Sequence, residues 1–190
     1  MNKANSLRGI FLSLMLAAAV VLIPGCGGGD SNSSSTSGDP TGTLTPTGTA
    51  SLTCTTDTTL TAGQFTLNGT KYTDSGTSTK PNIDIAVIIG MYSISLLPNP
   101  DDSLNMNTNG VTVGDYDIAK GLLVAGGGDA GGKFNGVVYK TLPNVGSGII
   151  KLSNVAANVG DLVRGCYNIE MPSTAASYTV TGSFAGSRLY

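Results

Sequence analysis

Three groups of residues have types and spacings that could do chemistry. Gly127-Gly128-Asp129-Ala130-Gly131-Gly132-Lys133 fits the GxxxxGK pattern of a phosphate-binding loop and follows the apolar run Leu122-Leu123-Val124-Ala125. The next residue is Phe134, where a Ser or Thr hydroxyl would be needed for magnesium, and the following FNGVVY has the character of a strand rather than a helix. The match therefore reads as a Gly-rich hairpin loop, with no nucleotide. Asn105, Asn107, Asn109 and Gly110 imitate part of a calcium loop, but Asn105 stands in place of the first Asp and Tyr116 in place of the bidentate Glu. The carboxylates around that stretch, Asp101, Asp102, Asp115 and Asp117, are the candidate calcium ligands. Asp115 and Asp117, two residues apart, also share one strand face, which superficially resembles the carboxylate pair of a glycosidase.

Composition removes most other chemistries. The chain contains no His and no Trp, which excludes Ser-His and Cys-His triads, His-ligated zinc, Cys-His haem attachment and a Trp platform for a sugar ring. Neither SxxK nor GxSxG occurs. With only 6% aromatic residues, a glycan-binding face would rest on Tyr72, Tyr92, Tyr116, Tyr139 or Tyr167, each of which reads equally as a core-edge tyrosine. No catalytic residue is assigned and no cofactor is expected.

The elements that must carry these residues fall into three parts. Lys3 and Arg8 precede the apolar run IFLSLMLAAAVVLI, whose fourteen residues (10–23) would span about 21 Å as a helix. That is short of the roughly 30 Å hydrocarbon layer, so the run reads as a signal sequence rather than a permanent span. It leads into Leu22-Ile23-Pro24-Gly25-Cys26. This resembles the lipobox of bacterial lipoproteins, in which a small residue stands before a Cys that is diacylated on sulfur and becomes the new N-terminus. The resemblance implies a signal peptide over 1–25 and a membrane anchor on Cys26. Because Gly27 rather than Asp follows the Cys, it also implies the outer membrane, with either face open. Two or three acyl chains exceed what gives reversible binding.

Removing Lys3 and Arg8 changes ten bases against twelve acids into eight against twelve, a net charge of −4. No basic run remains for phosphate neutralisation, so nucleic acid is not an expected partner. Residues 26–50 hold the lipidated Cys and a Gly/Ser/Thr-rich linker too poor in apolar side chains to order itself, with a reach of about 27 Å.

Residues 51–190 show short alternating apolar runs broken every eight to twelve residues by Gly, Asn, Asp and Pro, the pattern of an all-β protein. The expectation is an antiparallel β-sandwich, or partly open barrel, of about nine strands. One runs from Ile83 through Met91 and, after a bulge or bend at Gly90, continues with Tyr92, Ile94 and Leu96 on the apolar side. Others lie near 52–60, 64–72, 120–125, 133–141, 148–155, 161–171 and 177–189. Asn109-Gly110 predicts a type I′ hairpin between 103–108 and 111–118. The runs FTLNGTKY (65–72), VGDLVRG (159–165) and TGSF (181–184) are similar to parts of uncharacterised secreted β-sandwich lipoproteins, a likeness that implies the fold and no catalytic residue.

With Cys26 lipidated, Cys54 and Cys166 remain to pair in an exported protein. Alternation puts Cys166 on the side of Arg164, Asn168 and Glu170, so the bridge is predicted to staple the Thr-rich N-terminal segment to that strand, outside the main core. The functional expectation is a non-enzymatic, outer-membrane lipoprotein with a structural or protein-interaction role in the envelope. The alternative is a ligand-binding module for a surface glycan or a calcium-dependent partner.

Overall fold

The computed structural model describes residues 52–76, 80–142, 145–173 and 176–190. The expected signal sequence, Cys26 and the expected linker lie outside them. Eleven strands form in chain order: β1 (Gln64–Leu67), β2 (Thr70–Thr73), β3 (Asn82–Ile88), β4 (Met91–Leu97), β5 (Ser103–Thr108), β6 (Gly114–Asp117), β7 (Gly128–Phe134), β8 (Val137–Lys140), β9 (Ser147–Asn154), β10 (Leu162–Pro172) and β11 (Ser177–Ser187). They make two antiparallel sheets, one ordered β2-β1-β11-β10-β9-β6 and the other β3-β4-β5-β7-β8. The sheets are not closed into a barrel.

Alternation along each strand builds the core. Tyr92, Ile94 and Leu96 of β4, Leu104 and Met106 of β5, Ile150 and Leu152 of β9, Val163, Tyr167 and Ile169 of β10, and Val180 and Phe184 of β11 are all fully buried between the sheets. The buried Tyr92 hydroxyl accepts from the Ala156 amide at 2.9 Å, so its polar end is satisfied. Strand β11 begins at the β8 edge, where Tyr178 stacks on Phe134 at 4.6 Å, and ends at the opposite edge, where Arg188 bridges Ile85 of β3. It thus crosses the five-stranded sheet from side to side, so the two layers cross rather than align. The last residues then cover the β3 edge: the Leu189 amide donates to Ile85 O and the Val87 amide to Tyr190 O.

The strand count rises from about nine to eleven because three two-residue turns divide segments that read as single strands or as a loop. Asn68-Gly69, Ile89-Gly90 and Asn135-Gly136 all have both central residues at positive φ, the requirement of a tight hairpin turn. At Ile89-Gly90 the apparent bend is a full reversal. Val87 pairs with Tyr92 and Ile85 with Ile94, which is why the apolar positions change parity there. Asn109-Gly110, in contrast, is not a hairpin. The Asn109 amide donates to Gly127 O, so β7 rather than β6 takes the place beside β5, and β6 crosses to pair with β9. Residues 120–125 form no strand; a short 3-10 helix, Ile118–Lys120, and turns occupy that region. No strand forms at 52–60 either.

Candidate functional site

The Cys54–Cys166 disulfide is present, with the Cα atoms 5.8 Å apart. As the alternation predicts, Cys166 lies on the outer side of β10, opposite the core. It is nevertheless fully buried, because the chain from Thr53 to Leu60 crosses that outer face as a strap. The strap is fastened by side chains instead of a ladder. The Asp57 amide donates to Ser183 Oγ at 3.0 Å, Ser183 Oγ to Thr55 O at 3.2 Å, Arg164 Nη2 to Leu60 O at 2.9 Å and Asn168 Nδ2 to Thr53 O at 3.3 Å. The strap thereby covers the part of that outer face formed by Arg164, Cys166, Asn168 and Ser183, while Asp115 and Lys151 farther along it stay exposed.

The four candidate calcium ligands do not converge, and among the described residues no group of three or more His, Cys, Asp or Glu could hold a metal ion. Asp102 ties the β4–β5 loop to the β7–β8 turn. Its carboxylate accepts from Asn99 Nδ2 at 2.8 Å and from the Asn135 amide at 2.9 Å, and these bonds, Asn99 first, hold its pKa below the ordinary carboxylate value. The neighbouring Asp101 amide donates to Asn99 Oδ1. Asp115 and Asp117 lie on the other sheet. Asp115 faces Lys151 at 3.9 Å on the surface, and Asp117 caps the 3-10 helix by accepting from the Ala119 amide at 2.9 Å. The Asp102 and Asp117 carboxylates are thus committed to the fold, and the calcium-loop likeness fails because Asn105 and Asn107 project from a strand.

The Gly-rich run that resembles a phosphate loop is strand β7, hydrogen-bonded to β5 on one side and β8 on the other, so its amides are not free to cradle an anion. The tyrosines proposed as a glycan platform are inside: Tyr92, Tyr116 and Tyr167 are buried, while Tyr72 and Tyr139 pack half-buried against the core. Burial pushes the Tyr167 phenol well above its ordinary pKa.

The open face is the outer side of the five-stranded sheet. Register lays Asp84, Ser95, Asn105, Gly131 and Lys140 abreast, flanked by the rows Ser93-Asn107-Asp129 and Ser103-Lys133-Val138. Because Gly131 has no side chain, a groove of about 450 Å³ opens over it. Asn107 Nδ2 donates to Asp129 Oδ1 at 2.7 Å along one wall. Asn105, Lys133 and Lys140 are exposed around the rest. Sequence reading named Asn105, Asn107, Gly131 and Lys133 for other chemistries and passed over Lys140. The available signal was the period of two in Ser103, Asn105, Asn107 against Leu104, Met106, Thr108.

Comparison with protein-family models, curated proteins and solved structures finds no match for this chain. Among the described residues, no helix is long and apolar enough to cross a membrane.

Proposed function

We propose that this protein is a non-enzymatic interaction module of the cell envelope, held to the outer membrane by acyl chains on Cys26, which presents the outer face of its five-stranded sheet to a partner. The observation that carries this reading is the disulfide-fastened strap. The described chain enters the domain on the outer face of the six-stranded sheet, and the strap covers that face over β10 and β11. The opposite face carries Ser, Asn, Asp and Lys in ordered rows and is left open. A leash attached on one side and a polar face on the other is an arrangement suited to display.

Two experiments test it. Incorporation of labelled palmitate should occur in the wild type and vanish in Cys26→Ser, with the wild type fractionating with the outer membrane; absence of label overturns the anchor. A photo-crosslinking residue at Asn105, compared with one at Asn168 beneath the strap, should capture an envelope component only from the Asn105 side. Equal or absent capture at both overturns the displayed face.

A further inference from the structure

Gly131 is a glycine that its own backbone does not require. A Cβ there would meet nothing nearer than Tyr139 O at 3.5 Å, which is ordinary contact. The next residue is different: a Cβ on Gly132 would stand 2.4 Å from Ser103 O. The strand therefore needs Gly132 and has room for a Cβ at 131, where a residue with a side chain would favour the sheet over glycine. A strand-interior glycine without a steric cause marks a place where something approaches the backbone closely.

The surroundings define what approaches. Asn105 and Lys140 lie directly across from Gly131 on the two neighbouring strands, and Lys133 lies two residues along β7 on the same face. Lys133 and Lys140 are diagonal neighbours, roughly 8 Å apart at the backbone. The Asn105 side chain has no hydrogen-bond partner among the described residues, while Asn107 and Asp129 bond each other. A peptide strand could not add here, since both edges of β7 are already paired. An occupant must be held from above by the Ser103 hydroxyl, the Asn105 amide and two ammonium groups, with the exposed Val138 beside Lys133 and the Asp129 carboxylate already bonded to Asn107 on one wall. Amides match hydroxyl-rich ligands because they donate and accept, and two ammonium groups match carboxylates. The groups around the groove thus supply hydrogen bonds and charge rather than ring stacking.

We propose that the groove over Gly131 binds an extended saccharide chain carrying carboxylates, of the uronic-acid class, with Lys133 and Lys140 on the carboxylates and Asn105 on the hydroxyls. This rests on the reading of the five-stranded face as the displayed surface and names its ligand.

The test uses full-length protein in detergent and three fluorescent probes of equal length: an oligouronate, a neutral oligoglucoside and an oligoglutamate. The oligouronate should bind best, and more weakly as salt rises. Lys133→Gln with Lys140→Gln should weaken it by about tenfold. Gly131→Val should abolish binding while leaving the melting temperature equal or higher; should that variant misfold, Asn105→Ala takes its place and should weaken binding. No binding to the oligouronate, unaltered binding in these variants, or preference for either other probe overturns the proposal. If crosslinking at Asn105 captures an envelope component while the oligouronate fails, only the ligand assignment falls and the displayed face stands.

Discussion

The Tyr167 hydroxyl donates to the backbone carbonyl of Thr66 at 2.7 Å, although the strand carrying Gly182 lies between them. The regular ladder between β1 and β11 stops after Phe65 and Phe184, and beyond it the Asn68 amide donates to Thr181 O at 2.8 Å while side chains supply the other bonds. The Ser183 amide donates to Thr66 Oγ1 at 2.8 Å, and the Thr181 amide to Asn68 Oδ1 at 2.9 Å. Gly182 makes the crossing possible, since a Cβ there would lie 2.0 Å from Thr66 O and 2.6 Å from the Tyr167 hydroxyl.

Tyr167→Phe should therefore lower stability by about 1–2 kcal/mol, the cost of leaving the Thr66 carbonyl without its buried partner. Gly182→Ala should cost more, because its clash is with backbone. Urea unfolding of both variants checks the order, and a smaller effect from Gly182→Ala would show that β1 moves away freely.

The Cys54–Cys166 bridge closes a 112-residue separation. In the chain-entropy model such a loop contributes up to about 4.7 kcal/mol. Cys54→Ser with Cys166→Ser should lower the denaturant midpoint accordingly and speed amide exchange at Asp57, whose amide is held by Ser183 Oγ. Unchanged exchange at Asp57 would mean the hydrogen bonds hold the strap unaided.

Ile89 is a β-branched residue at φ 51 in the β3–β4 turn and is 92% exposed. It makes no packing contribution that would offset its strained backbone. Ile89→Asn should stabilise the domain by about 1 kcal/mol, since Asn tolerates the left-handed region. Thermal unfolding reads this directly, and a lowered melting temperature would contradict it.

Asp102 has a pKa lowered by the Asn99 amide and then by the Asn135 backbone amide. The folded carboxyl binds its proton more weakly than the unfolded one. Its contribution is therefore complete above the unfolded carboxylate pKa and is lost as pH falls through the folded value. Asp102→Asn should lower the melting temperature near neutrality and flatten its decline as pH falls below the ordinary carboxylate pKa. Parallel curves for the two proteins would remove Asp102 from the acid transition.

Local pattern made the architecture legible. The period of two in Tyr178, Val180, Gly182 and Phe184 placed Val180 and Phe184 in the core, and the side of Cys166 followed from counting along β10. The same pattern misled where two strands are joined by two residues. Across Ile89-Gly90 a change of apolar parity looks alike for a bend and a reversal. Asn68-Gly69 and Asn135-Gly136 carried the same turn chemistry as Asn109-Gly110, yet only the first two are hairpins. Which turn closes depends on which strand claims the neighbouring edge, and β7 claims that of β5.

By itself the sequence determined the all-β character and the burial parity of the long strands, because both follow from alternation; the structure supplied the pairing of Cys54 with Cys166. Only the tertiary structure decided that Asp101, Asp102, Asp115 and Asp117 do not converge, that the Gly-rich run is a paired strand, and that Gly131 lies amid Asn105, Lys133 and Lys140. The reason is physical: neighbours across a sheet are set by pairing between segments distant in the chain, and no local period encodes which segments meet.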